Sequence, residues 1–197
     1  MNTLIQTNSK GYPSVDFEPA FKLLNDELIA INESLVLICA GGYAMQLYGY
    51  RGTADIDAFY TSNAGIEAAI RKVGDAFGIN KPDELWLNHS ISSLNPEPPE
   101  RYCEMVHAFS NLTVKAVEIH YLIGMKLVSA RGQDLRDLAA ILKSRKEMQP
   151  FGLLSRLAEM GFAIDISILL DAFEGAYGME WLDAFYIENE TELRKYF

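Results

Sequence analysis

The order of apolar patterns along this 197-residue chain predicts an α/β fold, a sheet packed by helices. Three observations carry the prediction. Residues 34–40 (SLVLICA) form a short, almost wholly apolar run, as a buried strand does. Residues 53–60 (TADIDAFY) alternate polar and apolar side chains around Asp55-Ile56-Asp57, the two-residue period of a strand with two different faces. Helical spacing of apolar residues precedes, separates and follows these runs.

Each element has its own signal. Phe17, Phe21, Leu24, Leu28 and Ile31 recur at four- and three-residue intervals, which gives an amphipathic helix before the first strand. Pro19 falls in its first turn, where a missing N–H costs nothing. Gly41-Gly42 makes the strand-to-helix turn, and residues 43–50 (YAMQLYGY) make a short helix that leads to the 53–60 strand, adjacent to the first. Ile66, Ile70, Val73 and Phe77 define the next helix, capped by Ser62 or Asn63 and ended by Gly78. Leu85-Trp86-Leu87 is a short strand candidate, whereas residues 92–100 (SSLNPEPPE), with three prolines, exclude regular structure. Residues 102–109 and 112–117 read as a hairpin about Ser110-Asn111. Beyond Glu118 the pattern is helical, interrupted at Gly132, Pro150, Gly161 and Gly178. The division expected is residues 1–148 as the α/β domain and 149–197 as a helical extension packed on it.

Composition narrows the function classes. An apolar fraction of 49% is that of an ordinary globular domain, with one well-buried core at this length. No apolar run reaches the roughly eighteen residues of a membrane span, and the N-terminal stretch lacks the basic start and apolar core of a signal peptide. Cys39 and Cys103 lie in strand-like apolar runs without C-x-x-C spacing, which argues against a zinc site or a disulfide framework and fits a reducing cytoplasm. A net charge of −10 without a dense basic cluster argues against a long nucleic-acid duplex as ligand. The nearest basic groups, Lys143–Lys146 and Arg194-Lys195, fall near helix C-termini, where cations complement the dipole.

The chemistry centres on Asp55 and Asp57. Two residues of strand separate their Cα atoms by about 6.6 Å, so the carboxylates can converge on one cation or a pair. Unpaired at about 4 Å, they would repel by roughly 4 kcal/mol at an effective dielectric of 20. A divalent cation removes that conflict, and hard oxygen donors favour Mg²⁺ or Mn²⁺ over zinc. The alternative is that both acids cap a strand end in solvent. Gly41 and Gly42 lie upstream at the turn, with twelve residues between them and Asp55. They either present backbone N–H groups to a phosphate or only permit a tight turn.

Gly-Gly, a short helix and an Asp-x-Asp flanked by apolar residues resemble the signature of the nucleotidyltransferase superfamily, the polymerase-beta-like fold. Residues 40–59 (AGGYAMQLYGYRGTADIDAF) look like those of its small bacterial AbiEii-like members, which include toxins of toxin–antitoxin and abortive-infection systems. Residues 118–142 (EIHYLIGMKLVSARGQDLRDLAAIL) resemble the Lys…Ala-Arg…Asp…Asp helical segment that follows the sheet in those proteins. The resemblance implies a nucleotidyltransferase-like mixed sheet flanked by helices with a helical C-terminal part. It also implies catalytic and metal-holding roles for Asp55 and Asp57, and a nucleotide site at Gly41, Gly42, Arg51, Thr53 and Lys126. Arg51 can reach a phosphate bidentately or fix its own loop through backbone carbonyls.

Members of that superfamily commonly carry a third carboxylate on a neighbouring strand. At the natural position this chain offers Asn88, which cannot take a proton; Glu84, His89 and Glu104 are the nearby groups that could serve instead. Asp134 and Asp137 have the spacing of an N-cap and a third-position acid on their own helix. The leading expectation is therefore transfer of a nucleoside monophosphate from a nucleoside triphosphate to a hydroxyl on RNA, protein or a small molecule. A toxin role would bring a cognate antitoxin as partner. The alternative keeps the fold without chemistry, as a nucleotide- or partner-binding protein. A glycosyltransferase or phosphohydrolase reading of Asp-x-Asp fits less well: the haloacid-dehalogenase pattern wants Thr or Val where Phe59 stands, and neither class explains the glycine turn.

Overall fold

A computed structural model describes residues 5–7, 13–93 and 96–196. Part of the N-terminal stretch read as no signal peptide, and residues 94–95 of the proline-rich stretch, lie outside the described residues. The chain forms two compact units, Met1–Glu118 and Ile119–Phe197, whereas the sequence pattern suggested a division after residue 148. The physical basis is that the helices of residues 119–144 pack with those that follow them, as set out below.

Unit 1 is an α/β unit. Its strands are β1 (Ile5–Thr7), β2 (Pro13–Val15), β3 (Leu35–Cys39), β4 (Ile56–Phe59), β5 (Leu87–Asn88), β6 (Cys103–Ala108) and β7 (Leu112–Val117). Its helices are α1 (Glu18–Ala30), α2 (Gly41–Leu47) and α3 (Ala64–Phe77). The main sheet has the order β5-β4-β3-β7-β6. β3 runs antiparallel to β4 and parallel to β7, β4 is parallel to β5, and β6 and β7 form the expected antiparallel hairpin, irregular between Met105 and His107. β1 and β2 make a separate antiparallel ribbon that no sequence pattern announced.

Alternation along the strands decides which face holds the core. Leu35, Leu37, Ile56, Ala58, Leu112 and Val114 join one apolar cluster with Phe21 and Leu24 of α1 and Ile66 and Ile70 of α3. The two helices therefore cover one face of the sheet. The period of two sends Asp57 to the other face. α2 begins at Gly41, two residues earlier than the pattern suggests, because Ala44 N–H already donates to Ala40 C=O (3.3 Å). β4 in turn starts at Ile56 rather than Thr53, since the Thr53 N–H is taken by the Gln46 side chain instead of a ladder partner.

The ends of α3 fix the strand that reaches the site. Asn63 caps it by accepting from Ile66 N–H (3.0 Å), and Gly78 closes it at φ +66°. Asn80 then ties the helix to the next segment. Its amide donates to Arg71 C=O (2.9 Å) and the Asp75 carboxylate (2.8 Å), and its oxygen accepts from Trp86 N–H (3.2 Å). Trp86 is buried against Phe17 and Phe21, and its indole N–H donates to Ile70 C=O (2.9 Å). β5 follows at once, at Leu87 rather than Leu85.

Unit 2 is helical: α4 (Ile119–Ser129), α5 (Gly132–Ser144), α6 (Pro150–Glu159), α7 (Ile166–Tyr177), α8 (Met179–Glu188) and α9 (Glu190–Leu193). α4 packs on α5, α6 and α7, and α5 packs along α7. The aromatic C-terminal stretch stacks upon itself, Phe173 on Trp181 (5.3 Å) and Trp181 on Phe185 (5.2 Å). Among the described residues no helix is long and apolar enough to cross a membrane.

Gly74 tests the packing of α3 against Asn80. A Cβ at Gly74 would land on the Asn80 amide. Alanine favours a helix by about 1 kcal/mol over glycine, but overpacking costs about 1–3 kcal/mol. Gly74→Ala is therefore expected to bring no gain in stability and to lower it by up to about 2 kcal/mol despite its better propensity, as read by urea unfolding.

Candidate functional site

The site grows from the start of β4. Ile56 is fully buried in the core between Asp55 and Asp57, so the two acids emerge together on the opposite side of the strand. Asp55 Oδ1 accepts from Thr53 Oγ1 (3.1 Å), and its Oδ2 forms an ion pair with Lys81 Nζ. Lys81 also holds Glu84 (2.8 Å), so one ammonium bridges two carboxylates and its pKa is pushed upward by both.

Asp57 has different surroundings. Its Oδ1 accepts from Ser90 Oγ (3.2 Å), while a Cβ on Gly41 would stand 3.0 Å from its Oδ2. Asn88 lies directly opposite Asp57 in the β4–β5 register. Asn88 Oδ1 takes Ser90 N–H (3.1 Å) and Ser90 Oγ (2.6 Å), so its Nδ2 is turned the other way. Among the described residues that buried Nδ2 has no aligned hydrogen-bond partner; it leans on Asp57 electrostatically without completing a bond. The Asp57 carboxyl is raised above its usual range, first by loss of water around it, then by the charge of Asp55; Ser90 and Asn88 offset part of this. The nearby Cys39 thiol is raised too, chiefly by complete burial, and stays protonated.

Two glycines bring α2 against these acids. Gly41 adopts φ +54°, a region that other residues enter at a cost of about 1–2 kcal/mol. A Cβ on Gly42 would fall 2.5 Å from Thr53 Oγ1 and 3.3 Å from Arg51 Nη1. Close approach thus requires both. Gln46 locks the arrangement: its Nε2 donates to Val15 C=O (2.8 Å) and its Oε1 accepts from Thr53 N–H (3.0 Å). Arg51 donates to Gly52 C=O (3.2 Å), the loop-fixing contact foreseen as one of its two roles.

Comparison with protein-family models, curated proteins and solved structures finds no significant match to this chain.

The structure gathers Asp55, Asp57, Gly41, Gly42, Arg51 and Thr53 in one neighbourhood, with Glu84 joined through Lys81. His89 follows Asn88 and is exposed, its ring edge-on to Tyr60 at 5.4 Å. Glu104 does not join the pair. It sits on β6, three strand spacings or about 14 Å across the sheet from β4, and accepts from Tyr48 Oη (3.3 Å). Lys126 lies in unit 2, with 4% of its side chain exposed, between Asp134 (3.0 Å) and Asp137 (2.6 Å). This corrects the capping role expected for those two acids. Arg131 is the N-cap of α5, and the two carboxylates turn to the buried ammonium because an unpaired charge there would be far costlier than an open cap.

Lys81, Ser90 and Gln46 were missed from the sequence. Lys81 had a signal: Lys81-Pro82-Asp83-Glu84 is a turn sequence, and the turn returns the chain through Lys81 N–H to Glu84 C=O (2.9 Å). Ser90 and Gln46 had none for their long-range bonds, since Asp57 lies 33 residues from Ser90 and Val15 lies 31 from Gln46.

Among the described residues no group of three or more His, Cys, Asp or Glu side chains gathers as a metal cage. Mg²⁺ does not require one, because it is held by one or two carboxylates together with water and substrate phosphates. The donor set fits such an ion on two counts. An ammonium already stands as the cation at Asp55, and the repulsion and lost hydration at Asp57 are the penalties a cation would relieve.

Two outcomes are expected. A raised folded-state pKa makes the stabilising contribution of Asp57 full below its unfolded value of about 3.9, and that contribution is lost as pH rises through the folded value. Metal-free Asp57→Asn should therefore be at least as stable as wild type at neutral pH and lack that segment of the stability–pH curve, as urea unfolding at several pH values will show. Lys126→Met should cost about 3–5 kcal/mol, because it leaves Asp134 and Asp137 facing each other without a cation, and the loss should appear as a lower urea midpoint.

Proposed function

We infer that this chain is a metal-dependent nucleotidyltransferase that moves a nucleoside monophosphate from a nucleoside triphosphate to an acceptor hydroxyl on RNA, protein or a small molecule. One observation carries the reading. Asp55 and Asp57 stand together at the start of β4, which is antiparallel to β3, the strand that leads into Gly41-Gly42 at the start of α2, and the turn at Gly41 meets the Asp57 carboxylate. The same order of parts underlies the resemblance to AbiEii-like proteins of the polymerase-beta-like fold, and with it the suggestion of a toxin component with a cognate antitoxin.

Asp55 and Asp57 would hold Mg²⁺ or Mn²⁺. When bound, the ion neutralises charge that develops on the leaving pyrophosphate. The chain's own residues do the rest. Lys81 is held at Asp55 by a pair whose members are 47% and 25% exposed, so it can leave at a cost of about 0–1 kcal/mol. Gly41 keeps the approach to Asp57 clear of a side chain, and Gly42 makes room for Thr53 and Arg51 on the same rim, where the resemblance implies phosphates. Asp57 accepts from the exposed Ser90 hydroxyl, whereas Glu104 stands three strands away across the sheet, which supports Asp57, rather than Glu104, as the base that takes the acceptor's proton.

A second reading has an observation of its own. Asn88 occupies the register position beside Asp57 where a third carboxylate is expected, which favours a binding protein without chemistry. Calorimetric titration with MgATP and MgCTP, followed by incubation with α-labelled triphosphates and candidate acceptors, separates the two. Wild type is expected to bind and to label an acceptor, and Asp55→Asn and Asp57→Asn to lose both. Binding without label or pyrophosphate release supports the binding protein, and unchanged binding in both variants overturns the metal assignment.

A further inference from the structure

The hydroxyls that touch the candidate carboxylates are not equivalent. Thr53 Oγ1 meets Asp55 but lies against Gly42, with its backbone fixed by Gln46. Ser90 Oγ meets Asp57, and Ser90 is exposed, a primary alcohol in a short 3₁₀ turn (Ser90–Ser93) directly after β5. Its oxygen lies 3.2 Å from Asp57 Oδ1 and 2.6 Å from Asn88 Oδ1, while its own N–H donates to the same Asn88 oxygen (3.1 Å). Backbone and side chain are thus fixed at one point, and the hydroxyl has a single hydrogen to divide between two acceptors. An alcohol so held beside a carboxylate has the arrangement of a nucleophile and its base.

We propose that Ser90 is itself an acceptor, a self-modification site at which the chain takes a nucleoside monophosphate from a nucleoside triphosphate. This rests on the nucleotidyltransferase reading and names one of its acceptors. Ser90 Oγ forms the bond to the α-phosphorus as the bond from that phosphorus to the bridging oxygen of the β-phosphate breaks. The electron pair of the broken bond leaves on pyrophosphate, and the serine proton passes to Asp57 and then to water. The product is a phosphodiester on Ser90, which places a bulky anion beside Asp55 and Asp57. Self-modification therefore blocks the site to further triphosphate.

Asn88 gains a purpose in this scheme. A carboxylate at its position would add a third negative charge beside the incoming phosphate. The neutral amide accepts from Ser90 without that charge.

Purified full-length protein, incubated with each of the four α-labelled nucleoside triphosphates and Mg²⁺ or Mn²⁺, tests the proposal by intact mass and peptide mapping. Wild type is expected to gain the mass of one nucleoside monophosphate on the peptide that contains Ser90, with an equal amount of pyrophosphate released. Ser90→Ala should lose that label while it still binds MgATP or MgCTP by calorimetry, and Ser90→Thr should retain part of it. Asp57→Asn, which loses triphosphate binding, should gain no label. Wild type that binds triphosphate or labels another acceptor, yet gains no mass or gains it elsewhere, overturns the self-modification alone. Failure to bind any triphosphate overturns it together with the nucleotidyltransferase reading.

Discussion

Two carboxylates on one side of a short strand repel each other, and the surrounding part of unit 1 is arranged as a response to that repulsion. Asp55 is answered by the ammonium of Lys81, carried on a turn that must fold back from α3 to reach it. Among the described residues no such cation meets Asp57. It is met by a hydroxyl, by an amide that does not quite bond to it, and by the backbone of a glycine, and its carboxyl is correspondingly hard to ionise. The asymmetry divides the labour: one acid sits in a salt bridge that is easily exchanged, while the other is left with unmet electrostatic demand.

The two charged lysine clusters show how burial separates function from framework. Lys81 and Lys126 each contact two carboxylates, and the lists of partners look alike. Lys81 is half exposed, so water competes for its partners and the pair stabilises little. Lys126 and Asp137 are almost wholly out of water, where losing one partner strands a charge. The first can yield its place to another cation, whereas the second holds α4 to α5 and is part of the architecture of unit 2.

Glycine explains why the acids and α2 lie so close. A left-handed backbone at Gly41 turns the chain out of β3, and the missing Cβ at Gly42 admits the Thr53 side chain and the Arg51 guanidinium. Gln46, one turn further along α2, then secures both β2 and the loop before β4. The local order of strand, glycine turn, helix, loop and acidic strand is thereby a single mechanical piece, with Asn80 and Trp86 fastening the β5 side in the same way.

What the sequence by itself determined were features of short range and strong period. The apolar run 34–40, the Asp-Ile-Asp alternation, the Asn63 cap, the Gly78 stop and the hairpin about Ser110-Asn111 each follow from sterics or hydrogen bonding within a few residues. So did the conjunction of Gly41-Gly42 with Asp55 and Asp57, because a single helix and loop join them. Element ends shifted where a side chain from the preceding segment took a backbone group, as Gln46 does at Thr53 and Asn80 does at Trp86. Only the tertiary structure decided that Lys81 pairs with Asp55, that Ser90 and Asn88 meet Asp57, that Glu104 stands across the sheet, and that Lys126 is enclosed by Asp134 and Asp137. Those relations depend on strand order and burial, and a charged or hydroxyl side chain carries no period by which its partner could be read in advance.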